Sequence, residues 1–320
     1  MNNTDPMIVS DPLSVFEKKG MLKLIAPAKT NLFLAIGKKR EDGYHEATTV
    51  MHALSLHDVI HVNYYNEGID KLEIDINCVA REGLEPLTLP IDENLAAQAI
   101  YLLAEKLGRN CGERFEIRIE KHIPIQAGLG GGSSNAAAAL VAAAYFWDID
   151  IHSDAVLSVA ARLGSDVSFF LYGGCAYLTG TGEAFQHTLA PMHSTLVLIK
   201  PDNGVSTTQA YHAFDEAPIA IPSEVFIQAK AARFAYEVPL FNNLSKAAAS
   251  LLPELSQIHT WLQKQEGVKS VLLCGSGSAS IALCDNFVHA HQVVSAAKSR
   301  GWWARTSSFS ALGASIVPNR

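Results

Sequence analysis

Residues 123–147, IPIQAGLGGGSSNAAAALVAAAYFW, decide the fold of this chain. The first residues end an alternating strand pattern, four glycines then crowd a short loop, and the remainder predicts an alanine-rich helix. Glycines let the backbone come close to a phosphate, and the free N–H groups of a helix N-terminus point at an anion. An ordinary glycine turn with a serine cap is the alternative. The density of glycine and the small residues after it favour a phosphate-binding loop.

The predicted phosphate contacts form one continuous run. They are Gly128, Leu129, Gly130, Gly131, Gly132, Ser133 and Ser134. The run is not a Walker motif, because no Lys-Ser or Lys-Thr follows the last glycine, and it is not Gly-x-Gly-x-x-Gly. A second loop, Gly275-Ser276-Gly277, follows the apolar stretch VLLC. Alone it predicts a tight turn, but together with the first loop it could close over the same nucleotide from another domain.

Composition narrows the class of protein. The chain has 320 residues, a formal net charge of −7 and 48% hydrophobic residues, which is typical of a soluble globular protein with one large or two smaller domains. The acidic balance argues against nucleic acid or an anionic membrane as a partner. The longest wholly apolar run, residues 136–147, is well short of the roughly 20 residues that span a membrane.

The cysteines and the N-terminus favour a cytoplasmic protein. The five cysteines are odd in number and include no Cys-x-x-Cys pair, so we expect neither a disulfide framework nor a zinc site. Residues 1–20 lack a basic start followed by an apolar block, and we expect a poorly ordered extension rather than a signal peptide.

The order of predicted elements favours an α+β fold. Alternating residues predict strands at 59–65, 71–77 and 114–121, and residues 21–37 read as two short runs around a turn at Pro27. Asp92 or Asn94 could cap a helix that ends near Leu107. The pattern breaks near residues 185–193, so we predict one domain over 21–188 and a second over 189–320. Hairpins mixed with helical pairs favour α+β over a doubly wound parallel sheet.

The two glycine loops resemble motifs of a known superfamily. PIQAGLGGGSSNAAAAL is similar to the second motif of the GHMP kinases, and LLCGSGSA is similar to their third. More narrowly, PAKTNLFLAIGKKREDGYHE, LGSDVSFF and KPDNGVSTTQAY resemble the family of 4-diphosphocytidyl-2-C-methyl-D-erythritol kinases. The resemblance runs from about residue 21 to the C-terminus. It implies a two-domain α+β fold with the active site in the cleft between domains, and it implies ATP and Mg²⁺ as cofactors.

Two departures from the family pattern are visible. Gln126 and Ala127 stand where many members have glycine or another small residue, which leaves the phosphate-facing glycines intact. Asn242-Asn243-Leu244 replaces a more usual Asn-Asp-Leu, and we assign it no role.

The resemblance implies a catalytic pair. It places the family's catalytic Asp at Asp166, which would accept the proton of the attacking hydroxyl or orient it. Lys29 would be its partner and would stabilise charge that develops on the transferred phosphoryl. Taken alone, Asp166 could equally cap a helix or form a turn, and Lys29 could be a solvated surface lysine. The apolar runs on either side of Lys29 argue against the latter.

The resemblance also implies contacts to the substrate. Asn31 would bind the erythritol part, His45 the cytosine with Tyr44 packed beside it, and Tyr211 would stack on the same base. Locally, residues 42–45 predict a turn, and Tyr211 could simply pack on one face of a helix. Asn94 could reach the adenine or only cap its helix.

The implied reaction transfers the ATP γ-phosphoryl to the 2-hydroxyl of 4-diphosphocytidyl-2-C-methyl-D-erythritol, a step of non-mevalonate isoprenoid synthesis. The partner would then be a small cytidine diphosphate substrate. The metal ligands stay unassigned, with Ser134 the only candidate, and the oligomeric state stays open. One alternative is another GHMP small-molecule kinase, which would have no cytosine for Tyr211 to hold. The other is a non-enzymatic nucleotide-binding protein, which we would expect to have lost Lys29 or Asp166.

Overall fold

The computed structural model describes residues 20–66, 70–81, 83–85, 89–109 and 112–318. Apart from Gly20, the predicted N-terminal extension lies outside the described residues, and so does Cys111. Over these ranges the chain forms two sheets with helices packed on them. None of the helices in the described ranges is long and apolar enough to cross a membrane.

The strands in chain order are β1 (Met21–Lys39), β2 (His45–Asn66), β3 (Glu73–Ala80), β4 (Glu113–Lys121), β5 (Cys175–Thr179), β6 (Ala184–Leu189), β7 (Thr195–Lys200), β8 (Phe241–Asn242), β9 (Val268–Leu273), β10 (Ser280–Cys284), β11 (Trp303–Ser308) and β12 (Ser315–Ile316). The helices are α1 (Leu95–Leu107), α2 (Gly131–Trp147), α3 (Asp154–Leu163), α4 (Ser165–Tyr172), α5 (Thr207–Glu216), α6 (Ser223–Ala231), α7 (Ser245–Leu251), α8 (Glu254–Leu262) and α9 (Phe287–Lys298).

The larger sheet contains eight strands. Its main path is β12-β1-β2-β4-β3, with β5 added to β2, β6 to β5 and β8 to β1. The smaller sheet has the order β11-β7-β10-β9 and is antiparallel throughout. Because β8 and β12 return to the larger sheet, the second half of the chain is anchored on β1. The mixture of hairpins and helices confirms the α+β expectation, while the predicted domain limits stay a prediction.

Strand β1 corrects one expectation. The two apolar runs are not separated by a turn at Pro27, because residues 21–39 form one strand that pairs with β2 along most of its length. The pairing shifts register between Pro27 and Lys29, which is where a β-bulge lets a proline sit without a ladder hydrogen bond. The backbone N–H of Lys29 instead donates to the carbonyl of Leu129, at 2.9 Å. The bulge thereby joins β1 to the glycine loop.

Helix α2 is the centre of the larger core. The four alanines at 136–139 are all fully buried, and the helix packs on β1, β2 and three neighbouring helices. A helix that is apolar on every face is expected to lie inside a protein. Alanine is the best helix former and its small side chain permits close approach, so this sequence lets the helix pack closely on β1 and β2.

Local signals located the other helices well. Asn94 caps α1, with its side chain accepting from the N–H of Ala96 at 3.0 Å. Ser153 precedes α3, although its side chain makes no capping hydrogen bond. The stretch after Gly164 is a further short helix, α4, with Asp166 in its first turn. Its N-terminal position suits a carboxylate, because the helix dipole favours negative charge there.

Candidate active site

A cleft of about 620 Å³ lies along the start of α2. This volume is within the range of small-molecule sites. Its walls include residues from β1, β2, α4, α5 and both glycine loops. Among the predicted site residues, the cleft is lined by Lys29, Asn31, Asn94, Gly128, Leu129, Gly130, Gly131, Gly132, Ser133, Asp166, Tyr211, Gly275 and Ser276. Ser134, Gly277, Tyr44 and His45 are not in its lining.

The two glycine loops pack directly against each other. A Cβ at Gly128 would lie 1.9 Å from the carbonyl oxygen of Cys274, and one at Gly277 would lie 2.1 Å from the Gly128 nitrogen. Neither position has room for any side chain. The N–H of Ala279 donates to the carbonyl of Ala127, at 3.0 Å. The second loop therefore supports the first, which is a closer relation than the sequence suggested.

The helix start has the geometry of an anion site. Gly130 precedes α2 with φ of 72°, a conformation that favours glycine. The first N–H groups of a helix have no acceptor within it, and here they belong to Gly131, Gly132 and Ser133. A Cβ at Gly132 would meet only Leu95, at 3.6 Å. All three residues line the cleft, so an anion bound in the cleft could reach their N–H groups.

Lys29 and Asp166 meet inside the cleft. The Lys29 Nζ lies 3.1 Å from Oδ2 of Asp166, and the two side chains come from β1 and α4. Lys29 is buried, whereas about a quarter of the Asp166 side chain (27%) is exposed to the cleft. The Nζ also donates to Oδ1 of Asn31 at 2.8 Å, and Asn31 in turn donates to Thr49. Because Lys29 is buried and has two polar partners, it is not the solvated surface lysine that was the alternative interpretation.

Tyr211 lies near this pair on the opposite wall. Burial, with the charge of Asp166 as the second cause, raises the pKa of Tyr211 to about 12. Its ring centroid is 5.2 Å from that of His45, with the two planes inclined at 49°. The ring also packs against Leu34 and Phe214 of a small apolar cluster. Tyr211 thus packs on one face of its helix, as the alternative interpretation predicted, and it also lines the cleft.

His45 is buried behind Tyr211 rather than open to the cleft. It is the first residue of β2, and its Nε2 lies 2.6 Å from Oδ1 of Asp215 in α5. Lys39 donates to the other oxygen of that carboxylate at 2.9 Å. Hydrogen bonds from these two partners, that of Lys39 first, lower the pKa of Asp215 despite its partial burial. Asp215 had no signal in the sequence, because its partners are about 170 residues away.

The turn before His45 is as expected, but Tyr44 points outward. The N–H of Tyr44 donates to Oδ1 of Asp42 at 3.0 Å, and Gly43 has a φ of 86°. The Tyr44 side chain is 65% exposed. Its predicted position beside a bound base therefore remains a prediction.

The unassigned Asn242-Asn243 pair connects the cleft to the larger sheet. The Nδ2 of Asn242 donates to the carbonyls of Leu273 and Gly275, at 3.0 and 2.7 Å. Asn243 both accepts from the N–H of Ile36 and donates to its carbonyl, each at 2.9 Å. The pair thus holds the second glycine loop on β1. The side-chain amide of Asn243 can bond both backbone groups of Ile36 because it carries a donor and an acceptor.

A second lysine, Lys121, also lines the cleft and is buried. It lies at the end of β4, beside the helix start, and is paired with the fully buried Asp58. The cleft therefore contains two cations although the chain is acidic overall, and local positive charge is what an anionic ligand requires.

Two family models match this chain. The one described as GHMP kinases N terminal domain matches residues 94–174, and the one described as GHMP kinases C terminal matches residues 229–301. The first includes the glycine loop and Asp166, and the second includes the Gly275 loop.

Curated relatives carry a narrower name. A protein of Desulfitobacterium hafniense named 4-diphosphocytidyl-2-C-methyl-D-erythritol kinase is 36% identical over 291 residues, which cover 89% of this chain and 94% of the relative. Proteins with the same name from Bacillus pumilus and Mycobacterium tuberculosis strain H37Rv are 38% and 37% identical, over 81% and 83% of this chain and 86% and 82% of the relatives.

Solved structures agree in fold. A crystal structure of 4-(cytidine 5'-diphospho)-2C-methyl-D-erythritol kinase superposes with a TM-score of 0.70 at 33% identity, covering 90% of this chain and 99% of the other. A homoserine kinase from Cytophaga hutchinsonii has a TM-score of 0.67 at 17% identity, covering 94% and 98% of the two chains, and shares the fold alone. With identities of 36–38% over at least four fifths of its length, this chain belongs to the GHMP kinases and, among them, to the 4-diphosphocytidyl-2-C-methyl-D-erythritol kinase family.

Proposed function

We propose that the chain transfers the γ-phosphoryl of ATP to the 2-hydroxyl of 4-diphosphocytidyl-2-C-methyl-D-erythritol. The observation that carries the proposal is the ion pair of Lys29 and Asp166, with 3.1 Å between Nζ and Oδ2, in the same cleft as the glycine loop. Phosphoryl transfer requires an anion cradle, a cation near the transferred group and a base or orienting group for the hydroxyl. The glycine loop, Lys29 and Asp166 are the groups that we propose for these three roles, and their shared cleft supports the proposal.

Asp166 is proposed to take the proton of the acceptor hydroxyl, or to orient that hydroxyl, as its oxygen attacks phosphorus. The bond to the bridging oxygen of ATP then breaks and ADP leaves. The exposed part of the Asp166 carboxylate faces the cleft, where an acceptor can reach it. Lys29 is held by Asn31 and by its backbone bond to Leu129, so its charge stays fixed as the phosphoryl group moves.

The start of α2 is proposed to hold the ATP phosphates through the N–H groups of Gly131, Gly132 and Ser133. Asn94 also lines the cleft, beside Cys78 and Leu95. That part of the cleft is the proposed place of the adenine. The cap that Asn94 provides uses its Oδ1, and its amide also hydrogen-bonds Cys78, so one of the two N–H donors of that amide is left for a base.

Mg²⁺ fits the residues of the cleft without a dedicated cage. The described part of the chain contains no group of three or more His, Cys, Asp or Glu placed to hold a metal. Magnesium bound to a nucleotide usually keeps several waters and phosphate oxygens and needs only one or two protein ligands. Glu93 and Asp166 are the carboxylates in the lining, and Ser134 has a buried hydroxyl without a hydrogen-bond partner in the described structure. When bound, the ion neutralises charge on the β- and γ-phosphates.

The substrate end is proposed to include Tyr211, Asn31 and the buried His45. Tyr211 offers the cleft a ring face, and aromatic stacking on a base contributes about 1–3 kcal/mol in nucleic-acid binders. The Nε2 of His45 is hydrogen-bonded to Asp215. Its Nδ1 is therefore the ring nitrogen that a base could reach. His45 does not line the cleft and its ring contacts that of Tyr211, so closer approach of His45 to a ligand would require Tyr211 to move.

The test is a coupled ADP-release assay with ATP and four acceptors: the cytidylated methylerythritol, methylerythritol phosphate, homoserine and mevalonate. We expect efficient turnover of the first alone. Asp166→Asn should lower kcat by about 10²–10⁴-fold and leave ATP binding almost unchanged, because Asn keeps the shape but cannot take the proton.

Asp154→Asn is the matched control, since Asp154 also lies in the first turn of a helix but is exposed and outside the cleft. It should retain wild-type turnover. Equal turnover of homoserine or mevalonate would contradict the substrate assignment, and an Asp166→Asn variant with more than about a tenth of wild-type kcat would contradict the role of Asp166.

A further inference from the structure

Asp58 is a buried carboxylate that the catalytic scheme does not use. It lies in β2 with none of its surface exposed. Its Oδ1 accepts the backbone N–H groups of His122 and Ile123, at 2.7 and 2.9 Å. Its Oδ2 accepts from the amide of Asn135 at 2.9 Å and from the ammonium of Lys121. Four donors therefore converge on one side chain.

These donors stand at the two ends of the glycine loop. His122 and Ile123 follow the last paired residue of β4, so no strand provides acceptors for their N–H groups. Asn135 lies in the second turn of α2, after the glycines. The segment between them, residues 124–134, contains the whole proposed phosphate site. Asp58 is thus a single point to which both ends of the loop are tied.

The same side chain fixes the position of a cation. Lys121 donates to Asp58 and, at 2.9 Å, to Oδ1 of Asn135. Its Nζ would be 3.3 Å from a Cβ at Gly131, the first residue of α2. An ammonium has three donors, and only two have partners in these bonds. Lys121 lines the cleft, and its Nζ lies beside the start of α2, where the proposed phosphate donors are.

We propose that Asp58 is a positioning residue for ATP, which holds the phosphate loop in its binding conformation and keeps the Lys121 ammonium beside the helix start without touching the nucleotide. The inference rests on the proposed function in one respect, that the loop is the ATP site. A loop already ordered before binding loses less conformational freedom when the ligand arrives, which strengthens affinity without a new contact. Loss of the tie should therefore weaken ATP and leave the acceptor site unaffected.

Asp58→Asn is the decisive variant. It preserves size and can still accept from His122 and Ile123, but it presents an amide N–H₂ to Lys121 and Asn135, which are themselves donors. We expect the Kd of a non-hydrolysable ATP analogue, measured by calorimetry, to rise about 10–100-fold, by analogy with residues that orient metal ligands. The KM of the cytidylated acceptor and the kcat at saturating ATP should stay within about twofold of wild type, which a general loss of structure would not produce.

Glu113→Gln is the matched control. Glu113 is also a buried carboxylate, it accepts from Tyr64, Arg109 and Trp147, and it starts the strand that Lys121 ends. Eight residues of strand separate the two sites by roughly 26 Å. This variant should lose stability but keep the wild-type Kd for the nucleotide. An Asp58→Asn variant that binds the analogue as tightly as Glu113→Gln overturns the proposal.

Hydrogen exchange on the wild-type enzyme tests the hydrogen bonds of Asp58 to the loop without any variant. It tests the proposal even if Asp58→Asn does not fold. The amides of His122 and Ile123 should be protected before nucleotide is added and should not gain protection afterwards. Rapid exchange in the free enzyme overturns the proposal. A wild-type chain that binds the analogue but phosphorylates none of the acceptors contradicts the proposed function and leaves this inference intact.

Discussion

The stability of this protein should depend on the protonation of His52. This residue of β2 is fully buried, its Nδ1 lies 3.0 Å from the carbonyl of Ala53, and its Nε2 accepts from the N–H of Met192 at 3.2 Å. The ring packs on Phe309 with 4.4 Å between centroids. A neutral imidazole satisfies both hydrogen bonds, because one nitrogen donates and the other accepts. Protonation would turn the acceptor into a donor against another N–H.

The magnitude follows from the burial. Loss of solvation, with a smaller effect of His193, lowers the pKa of His52 from 6.5 to about 4 although the bond to Ala53 opposes the change. Each pKa unit corresponds to about 1.36 kcal/mol. Below pH 6.5 the unfolded chain binds a proton that the folded chain refuses, so the free energy of unfolding falls as the pH is lowered. Between pH 7 and 5 this one group should remove about 2 kcal/mol, and the loss should continue down to about pH 4.

The assay is urea unfolding at several pH values between 7 and 5, on the wild type and on His52→Gln. Glutamine can accept the same hydrogen bond from Met192 and does not titrate. All other groups titrate in both proteins, so the difference between the two pH dependences isolates His52. We expect the wild type to lose about 2 kcal/mol more than the variant over this range. Parallel curves that differ by less than about 0.5 kcal/mol in this change would refute the argument, since they would mean that His52 titrates alike in the folded and unfolded chain.

Two further predictions concern the cleft. Tyr211→Ala should raise the KM of the cytidylated acceptor by about tenfold or more, the effect of losing one stacked base, and spare the KM of ATP, as steady-state kinetics with each substrate varied would show. If both KM values rise equally, Tyr211 acts through the fold and not on the base. Gly128→Ala should lower the melting temperature and ATP affinity far more than Gly301→Ala. Both glycines have positive φ, 76° and 82°, but only at Gly128 would the new Cβ meet a backbone oxygen, at 1.9 Å. Equal losses in calorimetry and thermal unfolding would mean that backbone strain alone matters.

The sequence was most informative where a feature is local. The alanine helix, the glycines before it and the Asn94 cap each depend on neighbours within a few residues, and all three are present in the structure. Asp166 and Lys29 could be named only through the family resemblance. Their residue types are common in turns and on surfaces, and nothing within either segment indicates that the two side chains meet.

Distant partners account for what the sequence did not show. Pro27 predicted a turn, but the pairing of β1 with β2 continues past it through a bulge, because the partner strand provides the acceptors on both sides. Asn242 and Asp58 bind groups that are 31 and at least 63 residues away. No periodicity or spacing marks such a residue. An asparagine or aspartate in an apolar strand does, however, need a buried partner, and that requirement is a usable signal.

The glycines of the two loops are required for different physical reasons. The sequence shows only that glycines are frequent there and does not distinguish these reasons. Gly128 and Gly277 allow the loops to touch. A Cβ at Gly130 would lie 2.8 Å from Cζ of Phe170 and 3.0 Å from Cγ of Lys29. One at Gly275 would lie 3.3 Å from Nζ of Lys29 and also 3.3 Å from the carbonyl oxygen of Gly128, so these two glycines make room for the lysine and for its neighbours. Among these five glycines, Gly132 is the one where a Cβ would meet only an ordinary contact, Leu95 at 3.6 Å, so room for a bound ligand is the reason that we propose for it. The loops therefore pack around the lysine as well as forming the proposed phosphate site, and substitutions in them should affect the chemical step and nucleotide binding to different degrees.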